Sequence, residues 1–514
     1  MRLCDFLLGA AADVPNDPAI EFRGKSFNYA ELVEESKQIG AGLLDLGIGP
    51  RASVAVMLPN LPEFVAAHYG ILMSGNIFVP FNVLLQAPEI NYLVTDSNVR
   101  AIITYETFLH HVEAGIKGLD DPPKIFVVGK DTGGHGSFGD LHHDHSAYTL
   151  PVPIDLTDPI MTIYTSGTTG KPKGAQLSNV NVVANMIMVE EVFEPEPGDK
   201  NLCVLPLFHV FALNAVLNSS IKLRQTVVLH PMFEVEAAVK SLAEDDITMF
   251  AGVPTMYFYI LKHLSVHPTK FPKLRVCLTG GAAMPVDVLH QFEKATGCTV
   301  YEGYGLTETT VSVCCNRPGD RRIGSIGKPF KKVQMKIIDE QGKEVADGET
   351  GEVLIKAPNV MMGYLNKPEA TAEAIQDGWF HSGDIGKRDE DGFFYIVDRI
   401  KDMIIKGGYN IYPREIEEVI FQLPEIAEAA VVGVFDEAKG EQIRAVVAFK
   451  PGKTLAIEVI QKQVAANLAK YKWPLDYIVL DELPKGPTGK ILKREIRKNW
   501  EQWNRDRVPA REAS

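Results

Sequence analysis

Short runs rich in valine and isoleucine alternate with helical patterns through the first four hundred residues, and that alternation restricts the fold more than any other feature. "ASVAVML" (52–58), "AIITY" (101–105), "KIFVVG" (124–129) and "IMTIY" (160–164) read as buried strands, each bounded by polar or Gly/Pro segments. "PEFVAAHYGILMSG" (62–75) has helical spacing and ends on glycine. Strands that alternate with helices predict parallel-rich sheets covered by helices, an α/β fold. At 514 residues the chain exceeds the size at which one hydrophobic core keeps growing, so more than one domain is expected.

Near residue 400 the texture changes. "GFFYIVDRIKDMIIKGGYNIYPREIEEVI" runs strand, charged pivot, strand, glycine pair, then a helix after Pro413. Further strands are expected at 428–435 and 444–450, a helix near 457–470, and a basic end. The boundary is drawn at Lys401, giving a large domain 1–400 and a small domain 401–514, with a frayed tail over the last ten residues. "LHHDHS" (141–146) has metal-ligating residue types, but in so short a tract a polar surface loop is the preferred reading, as it is for His110 and His111.

The formal charge of −14 argues against a general nucleic-acid or anionic-membrane binder, so any phosphate must be held by local basic groups and backbone N–H donors. Six scattered cysteines with no C-x-x-C pair read as reduced thiols. With no clean signal-peptide pattern and no apolar run of about 18 residues, a soluble cytoplasmic protein is expected.

"YTSGTTGKPKGAQLS" (164–178) packs four hydroxyl side chains, three glycines and two lysines into Thr165–Ala175. Glycines let the backbone approach a ligand, and hydroxyl and ammonium groups complement phosphate oxygens. The P-loop pattern fails, because Gly167 and Gly170 stand too close and Lys171 is followed by Pro172. The stretch resembles the phosphate loop of the adenylate-forming superfamily, which includes the acyl-CoA synthetases. Four more segments follow in that family's order: "YEGYGLTET" (301–309), "DGWFHSGDIG" (377–386), "DRIKDMIIKGGYNIYPRE" (399–415) and "PKGPTGKILKRE" (484–495). The region 377–401 also resembles the signature segment of fatty acyl-CoA synthetases.

The resemblance implies a large N-terminal domain of parallel-rich sheets with a β subdomain, and a small mobile α+β C-terminal domain. It implies two steps, activation of a carboxylate by ATP and transfer to coenzyme A. Thr165, Ser166, Gly167, Thr168, Thr169 and Lys173 would cradle the β- and γ-phosphates. Tyr304 would face adenine, with Gly281, Ala282, Glu302, Gly303 and Gly305 around the nucleotide, and Thr307 would reach the α-phosphate. Glu308, with Thr165, would serve Mg²⁺, a cation that favours oxygen ligands. Asp384 would accept from the ribose hydroxyls beside Arg399. Lys490 would bridge carboxylate and α-phosphate, Lys401 would be the hinge, and Gly407, Gly408 and Asn410 would line the thiol tunnel.

"LPLFHVFALNAVL" (205–217) corresponds to the family's acyl-pocket helix and its approach, where amino-acid-activating relatives carry an aspartate. This stretch has His209, Phe211 and Asn214 but no carboxylate, and a buried ammonium without a partner is costly. Small or apolar residues at 251–259, 279–284 and 309–313 favour a medium- to long-chain fatty acid, with an aromatic or alicyclic acid as the alternative. His209 either gates the pocket or is a satisfied buried histidine. An acyl-carrier-protein acceptor and a homodimer stay open, although no obvious insertion of the acyl-AMP ligase kind lies between 309 and 400.

Overall fold

The computed structural model describes residues 1–165, 171–190, 196, 198–406, 409–436, 440–486 and 489–505. These fall into two compact units, the first made of 1–281, 290–335 and 355–381, the second of 282–289, 336–354 and 382–514. Among the described residues no helix is long and apolar enough to cross a membrane.

Two large sheets carry the first unit. Among its described residues one sheet has eight strands, in the order Gly363–Tyr364, Lys173–Ser178, Pro159–Thr165, Ile77–Pro80, Ser53–Met57, Val99–Tyr105, Lys124–Val128, Gly136–Ser137. The valine- and isoleucine-rich runs are its parallel centre, with Ala55 opposite Ile102 and Ile102 opposite Ile125. Parallel strands need both faces covered. One face packs Ala55, Met57 and Ile102 against Ile90, Leu93 and Val112 of helices Ala87–Asp96 and Leu109–Ile116. Helix Pro62–Met73 starts on proline, which needs no N–H partner in a first turn, and is buried from Phe64 to Met73.

The second sheet has nine described strands, in the order Lys328–Pro329, Cys314–Cys315, Thr299–Tyr304, Val276–Thr279, Met249–Gly252, Lys200–Cys203, Thr226–Leu229, Pro18–Phe22, Lys25–Asn28. Met249–Gly252, Val276–Thr279 and Thr299–Tyr304 run parallel in register, so Gly252, Thr279 and Glu302 lie side by side near their carboxyl ends. Ligands of open α/β sheets sit at that edge.

The second unit holds most of a five-stranded sheet, in which Trp379–Arg388 pairs antiparallel with Phe394–Arg399. It also holds a three-stranded sheet of Ile426–Asp436, Gly440–Phe449 and Asp476–Val479. Alternation along these strands sends Ala429, Val431 and Val447 toward helices Pro413–Phe421 and Ile457–Asn467. It sends Ala430, Val432 and Val446 toward Ile496 and Trp500 of helix Lys493–Arg505. That last helix, expected only as a basic end, is therefore anchored by its apolar face, and the tail beyond Arg505 lies outside the described residues.

The expected boundary at Lys401 falls inside the second unit, at a single 3₁₀ turn, Ile400–Asp402. Asp384 and Arg399, on the paired strands Trp379–Arg388 and Phe394–Arg399, both fall in the second unit, and the first of these strands begins in the first unit. The histidine tract is a surface clasp. His145 and His143 contact Glu34 (3.1 Å) and Asp45 (2.6 Å) on helix Tyr29–Asp45, and His142 lies 3.6 Å from Glu35. Each histidine has its own carboxylate, and among the described residues no group of three His, Cys, Asp or Glu could hold a metal.

Candidate active site

In the first unit, strands Pro159–Thr165 and Lys173–Ser178 form a hairpin with Thr165 opposite Lys173. Its tip lies outside the described residues, and with it Ser166, Gly167, Thr168 and Thr169. The flanks are fixed. The Lys171 ammonium lies 5.2 Å from the centroid of the Tyr92 ring, whose hydroxyl donates to the Pro172 carbonyl at 2.9 Å. The Lys173 ammonium lies 5.0 Å from the centroid of the Tyr364 ring.

Glu308 is the meeting point. Its Oε1 accepts from Thr165 Oγ1 at 3.3 Å and from the Tyr364 hydroxyl at 2.9 Å, so the structure brings Thr165, Lys173 and Glu308 together. Its backbone carbonyl accepts from Met361 N–H at 2.7 Å. Burial, and then the Glu308 charge, push the Tyr364 phenol well above its ordinary range, so it remains a neutral donor. The donor set of carboxylate and hydroxyls is all hard oxygen, which fits Mg²⁺. One protein carboxylate suffices where phosphate oxygens and water complete an octahedral shell.

The segment before Glu308 is packed backbone against backbone. Strand Thr299–Tyr304 pairs with Cys314–Cys315, and the Val313 N–H donates to the Tyr304 carbonyl at 2.9 Å. A side chain on Gly305 would place its Cβ 1.3 Å from the Val311 carbonyl oxygen, so only glycine fits. Gly303 has less need, its nearest neighbour being Cys315 Sγ at 3.3 Å. Glu302 is buried opposite Thr279, and Thr307 and Glu308 occupy the 3₁₀ turn Thr307–Thr309. Gly281 is exposed with a left-handed φ of 80°. Ala282 belongs to the second unit.

His209 stands two residues before the start of a π-helix, Phe211–Asn218, and its Nδ1 accepts from the Phe211 N–H at 3.3 Å. Phe211 lies 3.7 Å from where a Gly280 Cβ would be, and Ala212 to Leu217 are buried. His209 is half-buried on this wall; the gate and the satisfied histidine both fit that position.

In the second unit, Asp384 and Arg399 face each other across a strand pair and form an ion pair at 3.0 Å, with Asp384 buried and Arg399 half-exposed. Ser382 orders the approach, donating to the Val353 carbonyl and accepting from the Asp384 N–H at 3.1 Å. Lys401 lies in the 3₁₀ turn; burial, then the neighbouring Arg399, lower its pKa. Asp402 beside it pairs with Arg497 at 2.7 Å. Lys490 closes a reversal in which Gly486 N–H donates to its carbonyl at 2.8 Å and Lys485 bridges Ile491. Gly489, among the described residues there, takes a left-handed φ of 75°. Asn410 pairs by its backbone with Ile405, while its side chain, Gly407 and Gly408 lie outside the described residues.

Three residues that complete this geometry had no place in the sequence-based site: Tyr364, Asn359 and, as a hydrogen-bonding group, Asn214. Asn359 Nδ2 donates to the carbonyls of Thr309 (2.7 Å) and Ser312 (2.9 Å). They stand 47 to 96 residues from their partners, and no local pattern marks them.

The model of the AMP-binding enzymes matches residues 8–365, and that of the AMP-binding enzyme C-terminal domain matches 415–490. A long-chain-fatty-acid–CoA ligase of Bacillus subtilis (strain 168) is 36% identical, over 96% of this chain and 94% of its own. A feruloyl-CoA synthase of an Amycolatopsis species is 35% identical, over 95% and 96%. The crystal structure of an anthranilate CoA ligase in complex with anthranoyl-AMP superimposes with a TM-score of 0.91 at 27% identity, covering 97% of each chain. The ordered motifs and these full-length matches converge: the chain belongs to the AMP-binding, adenylate-forming enzymes and is an ATP-dependent acyl-CoA ligase.

Proposed function

We propose that the acid is a medium- to long-chain fatty acid. The observation that carries the reading is π-helix Phe211–Asn218, in which Phe211, Ala212, Leu213, Ala215, Val216 and Leu217 are apolar, the two polar residues are asparagines, and no carboxylate is present to pair with an ammonium. The fatty-acid ligase relative supports it. An aromatic acid is the second reading, favoured by the feruloyl-CoA synthase at nearly equal identity.

A carboxylate is a poor acyl electrophile because oxide cannot leave. In the first step the carboxylate oxygen bonds to the α-phosphorus, the bond to the β-phosphate breaks, and pyrophosphate departs. Lys173 neutralises and Thr165 hydrogen-bonds the leaving phosphates, Glu308 would hold Mg²⁺, and Thr307 donates to the α-phosphate. Mg²⁺ when bound supplies charge neutralisation at the phosphate oxygens. Tyr304 stacks on adenine, and Asp384, oriented by Arg399, accepts from the ribose. Lys490 steadies the charge shared by carboxylate and α-phosphate. In the second step the thiolate of CoA attacks the acyl carbon and AMP leaves with both bonding electrons. A rotation at Lys401 exchanges the Lys490 face for the one bearing Asn410.

The test is pyrophosphate release across a panel of saturated fatty acids, ferulate and other aromatic acids, with CoA, with a phosphopantetheinylated carrier protein, and with neither. Highest kcat/KM on fatty acids of eight or more carbons with CoA supports the reading. Preference for ferulate replaces it with the second, and thioester formation only on the carrier protein overturns the acceptor.

A further inference from the structure

A line of buried polar side chains runs through the first unit and ends beside Glu308. His68 Nε2 and the Tyr69 hydroxyl lie 3.2 and 2.9 Å from Asn218 Oδ1. Asn218 Nδ2 donates to Asn214 Oδ1 at 2.9 Å, and Asn214 Nδ2 donates to the Thr310 carbonyl at 3.1 Å. All five residues are 0% exposed. With Asn218 Oδ1 the shared acceptor, His68 carries its proton on Nε2, and every bond in the line donates toward Thr310. Burial holds this imidazole neutral, its pKa lowered to about 3. Bonds aligned in one direction polarise one another, and such a network is costly to leave half satisfied.

The end point is what separates this line from an ordinary core network. Thr310 closes the turn that carries Thr307 and Glu308, and it does so at a left-handed φ of 62°. A β-branched residue keeps that conformation only when held from several sides. Its N–H donates to the Thr307 carbonyl (2.9 Å), its Oγ1 to the Asn359 carbonyl (2.7 Å), and its own carbonyl takes Asn214. The Asn214 end is fixed in turn by the π-helix, where both the N–H and the Oγ of Ser219 donate to the Asn214 carbonyl. Such wide turns recur at functional sites.

We infer that Asn214 is a positioning residue, which fixes the Thr307–Thr310 turn through the Thr310 carbonyl and so sets where the Glu308 carboxylate stands. The inference rests on the proposed role of Glu308 toward Mg²⁺. Asn214→Leu keeps the side chain's approximate size and removes both the donor to Thr310 and the acceptor for Asn218 Nδ2. Partners that orient a metal ligand typically govern affinity about 10- to 100-fold, so the Mg²⁺ concentration for half-maximal pyrophosphate exchange should rise about tenfold. Tyr29→Phe is the control for the lost donor, since it strips one buried carbonyl, that of Gln225, of a donor at 2.8 Å away from the turn.

The experiment measures Mg²⁺ dependence of ATP–pyrophosphate exchange and the melting temperature for the parent, Glu308→Gln, Asn214→Leu and Tyr29→Phe. A raised Mg²⁺ requirement in Glu308→Gln and Asn214→Leu, but not in Tyr29→Phe, supports the inference. A shift in Glu308→Gln alone overturns it and leaves the role of Glu308 standing. An equal shift in Tyr29→Phe also overturns it, by reducing the effect to general loosening. An unshifted Glu308→Gln overturns the role of Glu308 itself and the inference with it. If Asn214→Leu does not fold, Asn214→Ser, whose hydroxyl is too short to reach Thr310, is judged by the same outcomes.

Discussion

Replacing Gly305 by alanine adds one methyl group at the most crowded backbone position beside the proposed nucleotide site. The new carbon would stand 1.3 Å from the Val311 oxygen and 2.4 Å from the Val311 carbon. Non-bonded heavy atoms settle near 3.5 Å, so the two limbs must part by roughly 2 Å. They are held by the Tyr304–Cys314 strand pair on one side and the Thr307–Thr310 turn on the other, which leaves the turn to move. Displacing reacting groups by ~1 Å costs on the order of 100-fold in rate, about 2.7 kcal/mol in the barrier. Gly305→Ala should therefore lower acid-dependent ATP–pyrophosphate exchange at least 100-fold, on that order-of-magnitude scale. The sheets carrying the fold lie outside this segment, so the far-ultraviolet spectrum should remain native. Exchange near the parent rate in a folded Gly305→Ala protein would refute the argument, because the turn could then move without consequence.

Other consequences follow from single contacts. Tyr364→Phe removes the 2.9 Å bond to Glu308, and hydrogen bonds to charged groups contribute ~1.5–3 kcal/mol, so the Mg²⁺ requirement should rise about tenfold or more. Titrations of metal dependence check this, and an unchanged requirement would remove Tyr364 from the site. Asp384→Asn keeps the shape but loses the charge facing Arg399; the KM for ATP should rise about tenfold, in line with one charge-assisted contact, and steady-state kinetics decide. Burial, and then the Glu63 charge, push the Glu35 carboxyl from 4.5 up to about 7. His142 does not offset this, because burial lowers its own pKa. Between those pH values the folded chain keeps a proton the unfolded chain has lost, so stability falls as pH rises from 4.5 to about 7 and stays lower above. Glu35→Gln should then stabilise the fold at pH 8 by about 3 kcal/mol, read as a higher melting temperature, and leave it nearly unchanged near pH 4.5. Equal shifts at both pH values would contradict the assignment.

The strands at 53–57, 99–105, 124–128 and 159–165 were legible because burial on both faces of a parallel sheet writes itself into consecutive apolar residues. The helix at 62–73 was legible from its spacing, and its end from the turn at Gly75. The motifs located Glu308, Asp384 and Lys490 through their neighbours in sequence. Tyr364 and Asn359 were not legible, since each acts across about fifty residues through one polar atom. Asn214 stood in view, but the sequence showed only that it was not a carboxylate; its donor role depends on which way a π turn aims it. The grouping of Asp384 and Arg399 with the C-terminal unit was also hidden, because it depends on contacts between residues distant in sequence.

The central claim is that one chain completes two chemical steps with different faces of its smaller unit, and Lys490 separates them. Single-turnover assays on Lys490→Ala measure acyl-AMP formation from acid and ATP, and separately thioester formation from supplied acyl-AMP and CoA. Loss of one preorganised transition-state donor costs ~3–4 kcal/mol, so acyl-AMP formation should fall on the order of a hundred- to thousandfold. Thioester formation from supplied acyl-AMP should stay near the parent rate. Equal loss in both steps, in a protein that remains folded, would contradict the account.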